Sequence, residues 1–380
     1  MDFAGETMGV EEELLLVDPE SGTTVPAAGA LHAAVTAGHL PPGATVQREL
    51  LDSQIEAATG ICATAAELRD HLVAGRRVLA DAAHATGVLA VPMGTAPLPR
   101  NPAIRPTGAD RYARIDALYA EVTRDYEACG LHVHVGVADR DTAVAVVGHV
   151  NRWLPTLLAL SVNSPFHDGR DTGYGSWRIV QQSRFPGSGL APHAADHQGF
   201  AARIARLVDC GALADESQTF WFARPSPHLP TVEFRVADTA VTVSDAVLQA
   251  LLARALVRTA RADLARGRQA DPVPTELAQV AVWSAARYGP SGPGVDLARA
   301  TTKPATELVR DLLAHVRDAL ADTGDLDLVR ELLRRHVDGA RRQRALAPSV
   351  GVAGVPRQLA LESRVNPADA GTPRMNQEVT

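Results

Sequence analysis

Leu131-His132-Val133-His134-Val135 sets two imidazoles two residues apart in an aliphatic run, and the reading of this stretch decides the fold. Successive side chains on an extended strand point to opposite faces. His132 and His134 therefore project on one side while Leu131, Val133 and Val135 pack on the other. The same design recurs in Gly9-Val10-Glu11-Glu12-Glu13-Leu14-Leu15-Leu16, which aligns Glu11 with Glu13, and in Val232-Glu233-Phe234-Arg235-Val236, which aligns Glu233 with Arg235. Strands of this kind describe a sheet with one apolar and one chemically active face. Carboxylates and imidazoles crowded on that face repel and lose hydration unless cations or phosphates compensate them, which points to metal-assisted phosphate chemistry.

Taken singly, each pair also has a plainer reading. Glu-x-Glu on a strand is commonly a solvated edge, and Glu233 with Arg235 suits an ordinary ion-pair ladder. One of the two histidines, His134 above all, can be a hydrogen-bonded core residue. Glu12 breaks the alternation, since it shares a face with Val10 and Leu14. Segment 45–59 adds Glu49 and Glu56, which would share a face on a helix but not on an unbroken strand; a turn or bulge near Asp52 is required if both enter the site.

Working outward, strands are expected at 7–17, 45–59, 88–93, 130–137 and 217–237, the last interrupted by a Pro225-Ser226-Pro227 turn. Helices are expected at 63–86, 109–128, 141–160, 194–209, 243–266, 274–288, 304–321 and 325–345. Thr64 before Glu67 and Ser244 before an apolar run read as helix starts, Gly87 and Gly130 as stops. Strands early and helices late suit an α+β layering, an antiparallel sheet backed by helices and open on its other face. Residues 92–108 read as a long loop, either functional or a surface crossover. Residues 163–192, with Gly173, Gly175, Arg178 and Arg184, read as a flexible cationic segment able to close over an anionic substrate. The tail from about Ser363 lacks periodicity and is expected to be disordered.

The chain has 380 residues and a net charge of -7. Its polar pairs are spread from the N-terminal to the later part of the chain, so one site requires residues 1–362 to fold as a single catalytic domain. The acidic balance, without a basic stripe, argues against nucleic acid and for a small-molecule substrate. Cys62, Cys129 and Cys210 form no CxxC pair and read as small buried hydrophobes of a reduced protein. No signal sequence and no apolar run of about 18 residues is expected, so the reading is cytoplasmic, with no membrane partner. Lys303 is the single lysine and sits at an expected helix start.

The motifs together resemble those of the glutamate–cysteine ligase type 2 family, the ATP-dependent carboxylate–amine ligases. The matching residues are Gly9 to Glu13, Glu49 with Ile55-Glu56, His132-Val133-His134-Val135-Gly136, Asn163-Ser164-Pro165, and Glu233-Phe234-Arg235-Val236-Ala237-Asp238. The matches occur in order and run to about residue 260. The resemblance implies a glutamine-synthetase-like catalytic fold, an antiparallel sheet forming a funnel with ATP and Mg²⁺ or Mn²⁺ at its mouth. It implies that Glu11, Glu13, Glu49, Glu56, His132 and Glu233 form the metal and phosphate shell, with His132 and Arg235 also contacting the nucleotide. Arg235 would face the phosphoryl group and substrate carboxylate, and Arg178 is a second candidate catalytic cation. The implied reaction phosphorylates an amino-acid carboxylate, that of the glutamate side chain, and lets an amine such as cysteine displace phosphate. A homodimer is the family expectation.

Elementary chemistry agrees with this implication. ATP and an acyl phosphate are polyanions, so carboxylates gather round them only when divalent cations bridge the two sets of oxygens. Phosphoryl transfer demands positioning and charge neutralisation rather than a protein nucleophile, and no Ser/His/Asp or Cys/His triad signature is visible. A zinc-dependent hydrolase using His132 and His134, with Glu233 as third ligand or base, is the main rival. It leaves Glu11, Glu13, Glu49 and Glu56 unexplained. P-loop and ATP-grasp ligases depend on phosphate-contacting lysines, and the chain has no Gly-Lys dipeptide. A non-catalytic binding protein would not require so complete a polar set.

Overall fold

The computed structural model describes residues 7–35, 39–108 and 110–363. Strands β1 (Met8–Val17), β2 (Thr45–Arg48), β3 (Gln54–Ala58), β4 (Leu89–Val91), β5 (Gly130–Gly136), β6 (Ala223–Pro225) and β7 (Thr231–Asp238) form one sheet. Its order is β6-β7-β5-β1-β3-β2, with β4 added to the far end of β1, and every pairing is antiparallel. The expected strand over 45–59 is split by a turn at Asp52 and Ser53, and the expected 217–237 strand is broken at Ser226 to Pro230.

Helices α1 (Ala65–Ala85), α2 (Arg140–Val150), α3 (Leu154–Ser161) and α4 (Val243–Ala265) cover the back of this sheet. Val10, Val133, Val135, Val232 and Phe234 alternate onto that face and join Val146, Leu157, Val247 and Leu251 in one core. Each such side chain contributes about 1.5–3 kcal/mol on burial. The apolar half of the alternation therefore anchors the strands that carry the polar half. Arg140–Ser161, 22 residues long, has the length and mean hydropathy to cross a bilayer, but Arg152 interrupts its apolar run and 78% of its most apolar window is buried inside the protein, as in a core helix.

Helix ends follow local chemistry. Thr64 and Glu67 form the expected capping box of α1, and Gly87 follows its end with a φ of 72°. For α4 the cap is Thr242 rather than Ser244, because Thr242 exchanges hydrogen bonds reciprocally with Asp245. Gly130 is not a helix stop: it opens β5, and the preceding helix ends at Arg124. Lys303 stands at the expected helix start, just before the Pro304 cap of the helix Ala305–His315. It lies in a short hairpin, Pro293–Asp296 with Thr301–Pro304, and pairs with Asp311. The expected 325–345 helix is two, Leu326–Arg335 and Gly339–Ser363. A helix at Ala28–Ala34 was not expected, its run of Ala and Gly showing little amphipathic pattern. Cys62 and Cys129 are buried as expected, whereas Cys210 is exposed at a helix C-cap. The expectation of a disordered tail falls on 364–380, outside the described residues.

Candidate active site

Strand register brings the polar pairs into contact. Glu11 lies opposite His132 across β1 and β5, Glu13 opposite Glu56 across β1 and β3, His134 opposite Glu233 across β5 and β7, and Glu233 opposite Arg224 across β7 and β6. Directly opposed side chains sit about 4.5–5.5 Å apart at Cβ, so antiparallel pairing alone assembles the cluster. It floors a cavity of about 360 Å³ walled by Glu49, Leu50, Arg111, Tyr112 and segment 217–229.

His132 Nδ1 lies 3.0 Å from Glu11 Oε2, and its Nε2 lies 3.5 Å from Glu13 Oε1. The second Glu13 oxygen accepts from the Gly130 amide at 2.5 Å. His134 Nδ1 is 2.8 Å from Thr231 Oγ1, while its Nε2 approaches Glu11 Oε1 at 3.2 Å without hydrogen-bonding geometry. Glu233 is gripped by Arg224, Nε to Oε2 at 2.8 Å, and by Arg235. Arg235 Nη1 also lies 3.5 Å from His132 Nδ1. Its buried Nε has no hydrogen-bond partner among the described residues.

Charge is unbalanced on this face. Glu11, Glu13, Glu49, Glu56 and Glu233 all line the cavity. Of the arginines there, Arg111 is held by Asp215, Arg224 by Glu233 and Arg178 by backbone carbonyls. Arg235 shares Glu233 with Arg224 and is the cation that also faces the remaining carboxylates. Burial, reinforced by Glu13 and Glu11 and opposed by Arg235, pushes Glu49 up to about 8. Burial and the same crowd, here Glu11, Glu49 and Glu13, hold Glu56 well above the usual carboxylate range. Glu11 goes the other way: burial raises it, but the neighbouring imidazoles of His132 and His134 carry it well below its ordinary value. Glu233 is likewise depressed, burial being overcome by Arg235, Arg224 and His134. Neighbouring carboxylates split in this way when they outnumber the cations that face them.

Among the described residues, two groups each hold ligand atoms within 4.8 Å of one another: Glu11, Glu56 and His132, and Glu11, His134 and Glu233. Carboxylate-rich sets with one imidazole each suit Mg²⁺, or Mn²⁺ which tolerates nitrogen better. Glu11 belongs to both groups, and His134 Nε2, which makes no hydrogen bond among the described residues, would be available as a ligand. The residues therefore fit the divalent cations implied by the resemblance.

The structure brings Glu11, Glu13, Glu49, Glu56, His132, Glu233 and Arg235 into one cavity, although Glu49 and Glu13 belong to neither ligand group. His132 and His134 serve separate groups, so the His-x-His zinc hydrolase loses its premise. Arg178 is not on a flexible loop closing over substrate. It is the second residue of the helix Trp177–Gln182, 3% exposed, with its guanidinium on the carbonyls of Arg235 and Val236. Arg184 pairs with Asp125, and Asn163 and Ser164 are buried, so this segment is built in rather than poised above the site. His134 and Arg224 are the participants that sequence reasoning undervalued or missed. Alternation with His132 pointed to the first; nothing local marked the second, because its partner Glu233 is fixed only by strand register.

Comparison with known proteins follows the same direction. The family model described as glutamate-cysteine ligase family 2 matches residues 7–358. The chain is 52% identical over 373 residues to a Saccharopolyspora erythraea protein named "Putative glutamate--cysteine ligase 2-2", covering 96% of this chain and 94% of that one. It is 40% identical to a Salinispora arenicola protein of the same family name, covering 96% and 97%. In structure it is similar to the glutamate–cysteine ligase of Francisella tularensis solved with AMP, with a TM-score of 0.67 at 14% identity, covering 96% of this chain and 91% of the other. A bifunctional glutathione synthetase from Pasteurella multocida gives a TM-score of 0.66 at 15% identity, covering 94% and 52%. At these identities the likeness is one of fold, and the glutamine-synthetase-like architecture is shared.

Proposed function

The chain belongs to the glutamate–cysteine ligase family 2, and from that membership we propose an ATP-dependent ligase that joins an amino-acid carboxylate, in the first instance the glutamate side chain, to an amine such as cysteine. The observation that carries the reading is the carboxylate excess of the cavity beside an arginine whose buried Nε–H has no partner. An anion-rich floor with one unsatisfied guanidinium suits a substrate that brings both phosphates and cations.

In the proposed reaction a carboxylate oxygen attacks the γ-phosphorus of ATP, the bond to the β-phosphate oxygen breaks, and ADP leaves. The amine nitrogen then attacks the acyl carbon, the C–O bond to phosphate breaks, and the nitrogen loses a proton to give the amide. Mg²⁺ or Mn²⁺, held by Glu11 with Glu56 and His132 and by Glu11 with His134 and Glu233, would supply charge neutralisation at the phosphates. Arg235 offers its free Nε–H to a phosphoryl or carboxylate oxygen, and Glu233 fixes the direction of that guanidinium. Arg224 holds Glu233 from the other side, so the donor arrives pre-aimed.

On this reading residues 7–362 work as one catalytic unit, in the cytoplasm, on free amino acids and without nucleic-acid or membrane partners. Association as a homodimer accompanies the proposal and is read by sedimentation. The function is tested by an ADP-release screen over amino-acid pairs with Mg²⁺ or Mn²⁺, with product masses recorded. ADP release coupled to a new amide mass is expected. Phosphate release with no amide from any pair, or hydrolysis with Zn²⁺ and no ATP, would overturn it.

A further inference from the structure

Arg235 sits on an irregularity. Phe234 pairs with Val133 and Ala237 with Leu131, so Arg235 and Val236 together oppose the single residue His132. One extra residue in a strand leaves its carbonyls without regular ladder partners and re-aims the neighbouring side chain. Those carbonyls are taken by Arg178: Nη2 donates to Arg235 O at 3.1 Å and Nη1 to Val236 O at 3.4 Å. The approach depends on Gly130, where a Cβ would lie 2.4 Å from Arg178 Nη2.

Arg178 is itself held. Its amide donates to Ser164 Oγ at 3.1 Å, and its Nη1 lies 3.7 Å from Asp238 Oδ1. Asp238 accepts from the Asn163 amide at 2.8 Å, from Ser164 Oγ at 2.7 Å and from Ser176 Oγ at 2.8 Å. Gly94 lets this carboxylate approach, since a Cβ there would be 2.8 Å from it. The Asn163 side chain ties the latch to Pro92 O and Thr239 O and accepts from Gln343 in the C-terminal helix. All of these donors and acceptors are buried. The outermost residue of the Glu233-to-Asp238 motif thus faces a polar latch rather than the cation groups.

We propose that Arg178, held by Asp238 and Ser164 and admitted by Gly130, is a positioning residue that locks the bulge at Arg235 and Val236 and thereby aims the Arg235 guanidinium. The inference rests on the ligase reading only for its kinetic arm. Because Arg178 also borders the cavity, direct substrate contact is the competing role, and additivity separates the two.

The test is a double-mutant cycle of Arg178→Gln with Arg235→Lys, with Gly130→Ala as an independent displacement of the guanidinium. Arg178→Gln is expected to lower kcat about 10- to 100-fold, the range for a residue that orients another, and to lower it far less in the Arg235→Lys background. Gly130→Ala should reproduce the loss and add little to Arg178→Gln. A second arm needs no turnover: the Arg235 Nε–H resonance, assigned by its disappearance in Arg235→Lys, should shift in Arg178→Gln and in Gly130→Ala. Asp238→Asn, which keeps the shape but removes the charge and one acceptor oxygen, should shift the same resonance and covers the case in which Arg178→Gln does not fold. Fully additive losses in the cycle, or an Arg235 resonance unmoved by every folded variant, overturn the proposal. Wild-type protein that forms no amide with any pair defeats the ligase reading instead, and the resonance then decides the positioning role alone.

Discussion

Glu12 and its neighbours Glu11 and Glu13 occupy one strand and meet opposite fates. Glu12 points into the helical layer, where Arg76 grips it with Nε at 3.0 Å and Nη2 at 2.5 Å and donates twice more, to Ala240 O and Val241 O. The charges are matched there. Glu11 and Glu13 point the other way, into a cavity whose carboxylates outnumber the cations left to them. A buried ion pair closed on itself serves architecture, whereas an unclosed set waits for ions from outside.

Each prediction presses on that contrast. The largest effect is expected at the back: Arg76→Ala leaves a buried charge unpaired and should cost about 3–5 kcal/mol of stability, read by urea unfolding, with the folded fraction keeping its turnover. Loss of turnover without loss of stability would erase the distinction between the faces. At the front, Glu13→Gln should lower kcat by about 10²-fold, the scale of removing one charge-stabilising group, and weaken the dependence on Mg²⁺. Its melting temperature should hold or rise as repulsion is relieved. Unchanged kinetics would place Glu13 outside the machinery.

The metal-free protein should also depend on pH. Glu49 ordinarily ionises near 4.5 and is pushed up to about 8, with Glu56 shifted in the same direction. Between those values the folded protein holds protons that the unfolded chain releases. Stability should therefore fall as pH rises from about 4.5 to about 8. Saturating Mg²⁺ or Mn²⁺ should stabilise increasingly over the same window, because binding displaces those protons. Thermal melts with and without cation check this, and Glu49→Gln should flatten the metal-free slope. A metal-free protein that gains stability across that window contradicts the assignment. The smallest effect belongs to neither face: exposed Cys210→Ser should change stability by less than about 0.5 kcal/mol.

Much of the front face was legible because strand alternation is a two-residue rule. His132 announced His134, and Glu11 announced Glu13, before any tertiary contact was known. The turn at Asp52 that lets Glu49 and Glu56 share the cavity followed from counting residues. What stayed hidden depends on register and on long-range packing. Arg224 joins the site only because β6 pairs with β7 at Glu233, and Glu12 looked like a fault in the pattern because Arg76 lies 64 residues away. Arg178 carried the right charge for a substrate clamp, yet a bulge that no local sequence signal marks claims its donors. Thr242 took the cap expected of Ser244 because its hydroxyl reaches Asp245.

The central claim is that the unclosed face takes divalent cations between its carboxylates and a nucleotide. Anomalous scattering from crystals grown with Mn²⁺ and a non-hydrolysable ATP analogue tests it directly. The account predicts Mn²⁺ within the groups formed by Glu11, Glu56 and His132 and by Glu11, His134 and Glu233, each ion also touching phosphate oxygens. Manganese bound elsewhere, or nucleotide bound with this cluster free of metal, would contradict it.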